Sequence, residues 1–301
     1  MKIQKVTIIL TLIILSLLLT GCSSTKKDDN KDLAKKVDTE IEYMDSELIK
    51  IMSKLNNINF SSYILESRSV DVSSDESTSQ NSSSEGGNSQ SGGESQTGGD
   101  EGTNDSGNKN TNQKINVTEM VSNSLLNIDY NDIKWDEISS DLEVFNTSWN
   151  TIILDLYKLN INNVDITSFS NTLNQLLINI KNKDKSASLS SAATLYSYIP
   201  KYLNVYSSDS AIKDLAETKL HILNSYVGAT IADWTYSDNE LSLAEQAFSN
   251  VMKNVDFVNQ KEYNVNKVYI ALKELQSSNQ YKDTSIFFLK YRNLIQEIDI
   301  L

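Results

Sequence analysis

Apolar and polar positions alternate with a helical period over most of this chain. Leu33, Val37, Ile41, Met44, Leu48, Ile51, Leu55 and Ile58 follow one another at intervals of 4, 4, 3, 4, 3, 4 and 3 residues. That spacing draws one narrow apolar seam along a helix over residues 31–65, with Lys, Asp and Glu on the other faces. A second seam runs through Trp135, Ile138, Leu142, Phe145, Trp149, Ile152, Leu156 and Leu159, at intervals of 3, 4, 3, 4, 3, 4 and 3. A short helix over 117–128 precedes it. Two long helices with matching seams predict antiparallel bundle packing.

The rest of the chain reads as shorter helices separated by polar breaks. Apolar periodicity covers residues 166–180, 189–206, 212–234, 241–258, 265–275 and 287–301. Pro200 is expected to bend the second of these. Ser237-Asp238-Asn239-Glu240 has the form of a capping box opening the fourth. The spacing of helix starts resembles a helical-hairpin array, without a repeated motif of the tetratricopeptide or HEAT kind.

Between the two long seams the pattern disappears. Residues 67–114 are Ser, Gly, Asn, Gln, Asp and Glu, with almost nothing apolar after Val72. Such a segment cannot bury enough surface to offset its ordering entropy and is expected to be disordered. A connection about tenfold longer than a tight turn costs roughly 2 kcal/mol more to close. Burying the first seam is worth about 10 kcal/mol gross. The amphipathic helix at 33–66 is therefore expected to pack on a helical domain at 115–301, leaving the linker as an exposed insertion. The expected fold class is all-α, a multi-helix bundle or helical-hairpin array.

Composition sharpens this picture. Of 10 glycines, one is Gly21, eight lie between Gly86 and Gly107, and Gly228 alone remains for the folded part; the single proline is Pro200. Tight hairpins, P-loops and dinucleotide-binding loops need glycine at particular backbone angles, so their absence follows.

The first two dozen residues carry the clearest signal. Lys2 and Lys5 precede an apolar run over 6–19, broken by Thr7, Thr11 and Ser16. At 1.5 Å per residue the run spans about 21 Å, short of the roughly 30 Å hydrocarbon core, so a cleaved leader fits better than a permanent span. Leu19-Thr20-Gly21-Cys22 resembles the lipobox of bacterial lipoproteins. The resemblance implies a signal peptide at 1–21, cleavage before Cys22, a diacylglyceryl group on the Cys22 thiol, and a polar tether at 22–32. It places the chain on the extracytoplasmic face of a cell membrane, or on an outer membrane if the host has one. Stable anchoring would come from two or more acyl chains. Cys22 is the only cysteine, so no disulfide forms within the chain.

Removing Lys2 and Lys5 with the leader takes the net charge from −13 to −15. An acidic surface argues against nucleic acid and anionic lipid as partners. His221 is the only histidine, which leaves a His-based triad or a multi-His zinc site little material. Its mid-helix place reads as a helix-surface or boundary position. Asp129, Asp132, Asp136, Glu137, Asp141 and Glu143 gather at the start of the second long helix, where the macrodipole favours acid. Their functional reading is capture of a cation or a basic partner.

The all-helical lytic transglycosylases carry Glu-Ser followed by Gly-rich motifs. Here Glu66-Ser67, Glu76-Ser77 and Glu94-Ser95 adjoin or lie within the polar linker, and the pattern is not met. Tyr198 and Tyr202 sit one turn apart on the flank of their helix. They are either core-edge packing or an exposed aromatic strip for glycan or peptide.

The expectation is a lipid-anchored protein with no cofactor, most simply a non-enzymatic interaction or scaffold protein. Its partner would be an envelope protein or a cell-wall glycan. The alternative is a binding lipoprotein with a site between helices for a small solute, cation or glycan.

Overall fold

The computed structural model describes residues 25–60 and 124–301. The leader, Cys22 and the segment at 67–114 lie outside the described residues. Within them the secondary structure is helical, with no strand.

Helix α1 spans Thr25–Lys54, so helix begins inside the stretch expected to be a polar tether. Its seam is buried as the spacing predicts: Val37, Ile41, Met44, Leu48, Ile51, Leu55 and Ile58 are all in the core. The C-terminal end of α1 goes further. Ile49, Met52, Ser53 and Asn56 are buried too, so the covered face widens here beyond a narrow stripe, with Lys50 and Lys54 on the side left to solvent. Ser53 meets the hydroxyl of Tyr291 at 3.5 Å. Asn56 donates to the Tyr226 hydroxyl at 2.5 Å and to Thr230 at 2.9 Å. Tyr226 in turn donates to the Met52 carbonyl at 3.0 Å.

Helix α2 (Trp135–Lys158) and helix α3 (Asn163–Lys181) form the first hairpin after the insertion, and α4 (Lys185–Tyr196) packs back on α3. α1 lies against α2 and α4. The helix expected over 117–128 does not extend into its described part: residues 124–128 form a turn. The run expected to bend at Pro200 is divided just before it: α4 ends at Tyr196, and Pro200 lies in the first turn of the next helix. Helix α5 (Tyr198–Tyr206) starts two residues before it, because proline lacks the N–H that would bond the Tyr196 carbonyl and its ring crowds that carbonyl.

Helices α6 (Ser210–Thr230), α7 (Trp234–Lys253), α8 (Val255–Asn279) and α9 (Thr284–Ile298) complete the body. Each packs on its neighbour in sequence, and α9 returns to α6. One apolar cluster runs continuously from Val37 to Ile298. The expected packing of the N-terminal helix on the main body is therefore seen.

The glycine-poor turns have a shared construction. Asn57, Asn160, Lys183, Ala232 and Lys282 take positive φ, between 52° and 61°, just past a helix end. The Ile58, Ile161, Asp184 and Asp233 amides each bond back five residues, to the Ser53, Leu156, Asn179 and Gly228 carbonyls. An Asp or Asn then caps the next helix: Asn162, Asp184, Asp233 and Asp283 accept from backbone amides of the first turn. This corrects the expected capping box. Asp233 opens α7, and Ser237 is a turn inside it, buried and bonded to Ser225 at 2.9 Å and Asn279 at 2.8 Å. Likewise Asn254 caps α8, dividing the periodicity expected to continue to residue 258.

Candidate functional site

The tyrosines singled out from sequence make no exposed strip. Tyr198 is 8 % exposed and Tyr202 1 %. Both pack on Phe169, at ring centroid distances of 5.6 and 6.2 Å. Both lie on the buried face of α5 with Ile199 and Leu203. Trp149 stacks at 4.1 Å on Phe169 and donates its indole N–H to Ser170 at 2.9 Å, so its surroundings are filled as well.

The acidic cluster is dispersed, and α1 supplies the cations. Asp141 accepts from Lys54 at 2.7 Å and lies 3.1 Å from Lys50, while Glu137 is 3.6 Å from Lys54. Burial disfavours the charge on Asp141, but hydrogen bonds from both lysines outweigh it and hold the carboxyl below its ordinary range. Asp132 pairs with Lys134, and Asp129 caps the amide of Asn131. No group of three or more His, Cys, Asp or Glu able to hold a metal occurs among the described residues.

Near the middle of the molecule is a charged cluster that periodicity could not reveal. Lys219, on α6, is 11 % exposed. It donates to Asp45 of α1 at 2.7 Å and to Asp299, just past α9, at 3.0 Å. Tyr196 donates to the other oxygen of Asp45. Burial works against the Lys219 charge, yet the two carboxylates raise its pKa above the ordinary value. The cluster ties α1, α4 and α6 to the end of α9, with Lys219 buried and Asp299 at the solvent edge.

Among the described residues, a cleft of about 240 Å³ opens where α4 faces the α6–α7 hairpin. Its polar wall is Ser190, Thr194, Ser197 and Asn224, and Tyr236 closes one side. Ala193 and Val227 form its apolar part. Gly228 determines where Tyr236 lies. A Cβ there would sit 2.9 Å from Tyr236 Cδ1 and 3.1 Å from both the Asp233 carbonyl and the Ser237 amide, so only glycine admits this approach of α6 to α7. Glu240 holds the cleft's rear. It accepts from His221 Nδ1 at 2.7 Å and Asn224 Nδ2 at 3.2 Å. Burial, and then the Glu240 carboxylate, raise the pKa of Tyr236, whose hydroxyl bonds to that carboxylate.

His221 is thus the boundary residue that the sequence suggested. Its other nitrogen lies 3.6 Å from Glu217, so both ring nitrogens face carboxylates and neither is directed at a serine. That arrangement is not a nucleophile–base pair. The cleft itself was not foreseen. Its only sequence signal was Gly228, the lone glycine of the helical body.

Compared with known proteins, the chain matches no family model, no curated protein and no solved structure.

Proposed function

We propose that this is a lipid-anchored extracytoplasmic protein whose helical body serves a non-enzymatic interaction or scaffolding role in the cell envelope. The observation that carries the anchor is Leu19-Thr20-Gly21-Cys22 closing an apolar leader directly ahead of a helical body. Among the described residues no helix is long and apolar enough to cross a membrane. Attachment would then rest on acyl chains at Cys22.

The non-enzymatic part draws support from the chemistry of the charged groups. Lys219, Asp45, Asp299, Asp141 and Glu240 are all engaged in internal contacts. Cell fractionation tests the anchor: the wild-type chain should sediment with membranes, and Cys22→Ala should appear in the soluble fraction. A variant that still sediments after alkaline wash would overturn it. Turnover of a cell-wall glycan or peptide by the purified full chain would overturn the non-enzymatic reading.

A second reading, a ligand-binding lipoprotein with its site between helices, is favoured by one observation. The cleft between α4 and the α6–α7 hairpin is open, and its wall is held in place from behind.

A further inference from the structure

We infer that the cleft between α4, α6 and α7 takes one ring of a neutral, hydroxyl-rich glycan, laid against Tyr236; this rests on the ligand-binding reading. The hydrogen-bonding capacity left on the wall decides what it can hold. Thr194 spends its hydroxyl proton on the Ser190 carbonyl at 2.9 Å, and Ser197 spends its own on the Thr194 carbonyl at 2.7 Å. A hydroxyl has one proton and two lone pairs, so both residues face the cleft as acceptors. Asn224 has committed one N–H to Glu240, which leaves its amide oxygen as an acceptor and its second N–H as a donor, and the Ser190 hydroxyl is free to donate as well. The wall is thus richer in acceptors than in donors and suits a ligand whose groups both donate and accept.

Charge narrows the class. None of the residues lining the cleft is ionised. An anion would meet acceptors on a strongly acidic protein and be repelled. A cation would want a carboxylate, but Glu240 is already occupied by His221, Asn224 and Tyr236. Neutral hydroxyl groups, which both donate and accept, remain as the match.

Shape agrees with this chemistry. Tyr236 keeps 39 % of its surface exposed, with one side of its ring packed close against Gly228. A half-exposed aromatic face beside Ala193 and Val227 suits the C–H face of a sugar, while the acceptors take its rim hydroxyls. At about 240 Å³ the cleft is smaller than the roughly 300–1,000 Å³ pocket of a drug-sized ligand. It would grip one unit of a chain whose remainder stays in solvent.

The test is ligand titration of the full-length chain in neutral detergent micelles, followed by saturation-transfer NMR and calorimetry. The probes are the tetramers of N-acetylglucosamine (neutral), glucosamine (cationic) and galacturonate (anionic). The neutral probe should bind with a Kd on the order of millimolar, and Tyr236→Ala should weaken it about tenfold. Tyr281→Ala, an exposed tyrosine elsewhere, should leave it unchanged. Should Tyr236→Ala fail to fold, Thr194→Val removes one acceptor at an exposed helical position and should also weaken binding. Unchanged binding in the folded variants would overturn the site. Preference for a charged probe would overturn the ligand class and leave the ligand-binding reading standing. No binding of any probe, together with no thermal shift from any envelope ligand, would remove both.

Discussion

Lys219 is where a single residue governs most. Its ammonium satisfies Asp45 and Asp299 at once, so Lys219→Met leaves the part-buried Asp45 with the Tyr196 hydroxyl alone and returns the half-exposed Asp299 to water. Losing the partner of a part-buried carboxylate costs about 1–3 kcal/mol, measurable by urea unfolding. A variant of wild-type stability would contradict the account. The same region sets the pH response. Burial raises the pKa of Tyr196, Tyr226 and Tyr291 above the ordinary 10.0, and paired carboxylates raise Lys219 above 10.5. Each group binds its proton more tightly folded than unfolded. Their contribution is therefore complete below about pH 10 and is lost as pH rises through the folded values. Unfolding midpoints should fall steeply above pH 10, with the tyrosinate absorbance of the buried Tyr196, Tyr226 and Tyr291 appearing as a separate rise that coincides with unfolding. The helix ends make a third case. Ala232 stands at φ 59°, a left-handed position that glycine occupies without strain. Ala232→Gly should raise stability by about 0.5–1 kcal/mol in the same assay. Gly228→Ala, two turns' chemistry away in effect though near in space, should lower it by about 1–3 kcal/mol through overpacking against Tyr236.

Elements were legible where a seam was long, and least legible at their ends. The heptad positions of α1 and α2 are buried almost without exception, because a strict 3–4 spacing leaves one face and that face must be covered. Boundaries obeyed a different signal. Asp184, Asp233 and Asp283 each follow a left-handed residue and cap the next helix, yet apolar periodicity passes through such points unbroken. Ser237 resembled a cap by its sequence and instead fills a buried polar contact with Ser225 and Asn279. Tyr198 and Tyr202 were ambiguous for a related reason: what covers a helix flank is decided by another element, here Phe169 of α3. The cleft was hidden because its residues come from three helices. The α1–α2 contact also has its own acid response. Asp141 and Asp155 are held below the ordinary 3.8 by lysines, so their support is present above about pH 4 and is lost as pH falls through the folded values. Acid titration of Trp149 fluorescence, with Lys54→Met as comparison, should show the wild-type α1–α2 contact loosening as those carboxylates protonate.

At the scale of the whole molecule, an N-terminal helix distant in sequence forms part of the core of everything that follows. The body has no independent way to cover Tyr226 and Tyr291, which the end of α1 meets through Asn56 and Ser53. Deleting residues 67–114 should therefore keep the fold and raise its stability by about 1 kcal/mol, the entropy of closing a longer loop. Loss of cooperative unfolding on that deletion would show that the segment contributes to the fold. The same arrangement ties the helical body directly to whatever holds residue 22, because α1 begins at Thr25. The lipid-anchor proposal rests on Leu19-Thr20-Gly21-Cys22. Mass spectrometry of the N-terminal peptide, from protein extracted out of its native membrane, tests this most directly. The account predicts that the peptide starts at Cys22 and carries a diacylglyceryl mass on the thiol. A peptide retaining Met1, or one starting at Cys22 with a free thiol, would contradict it.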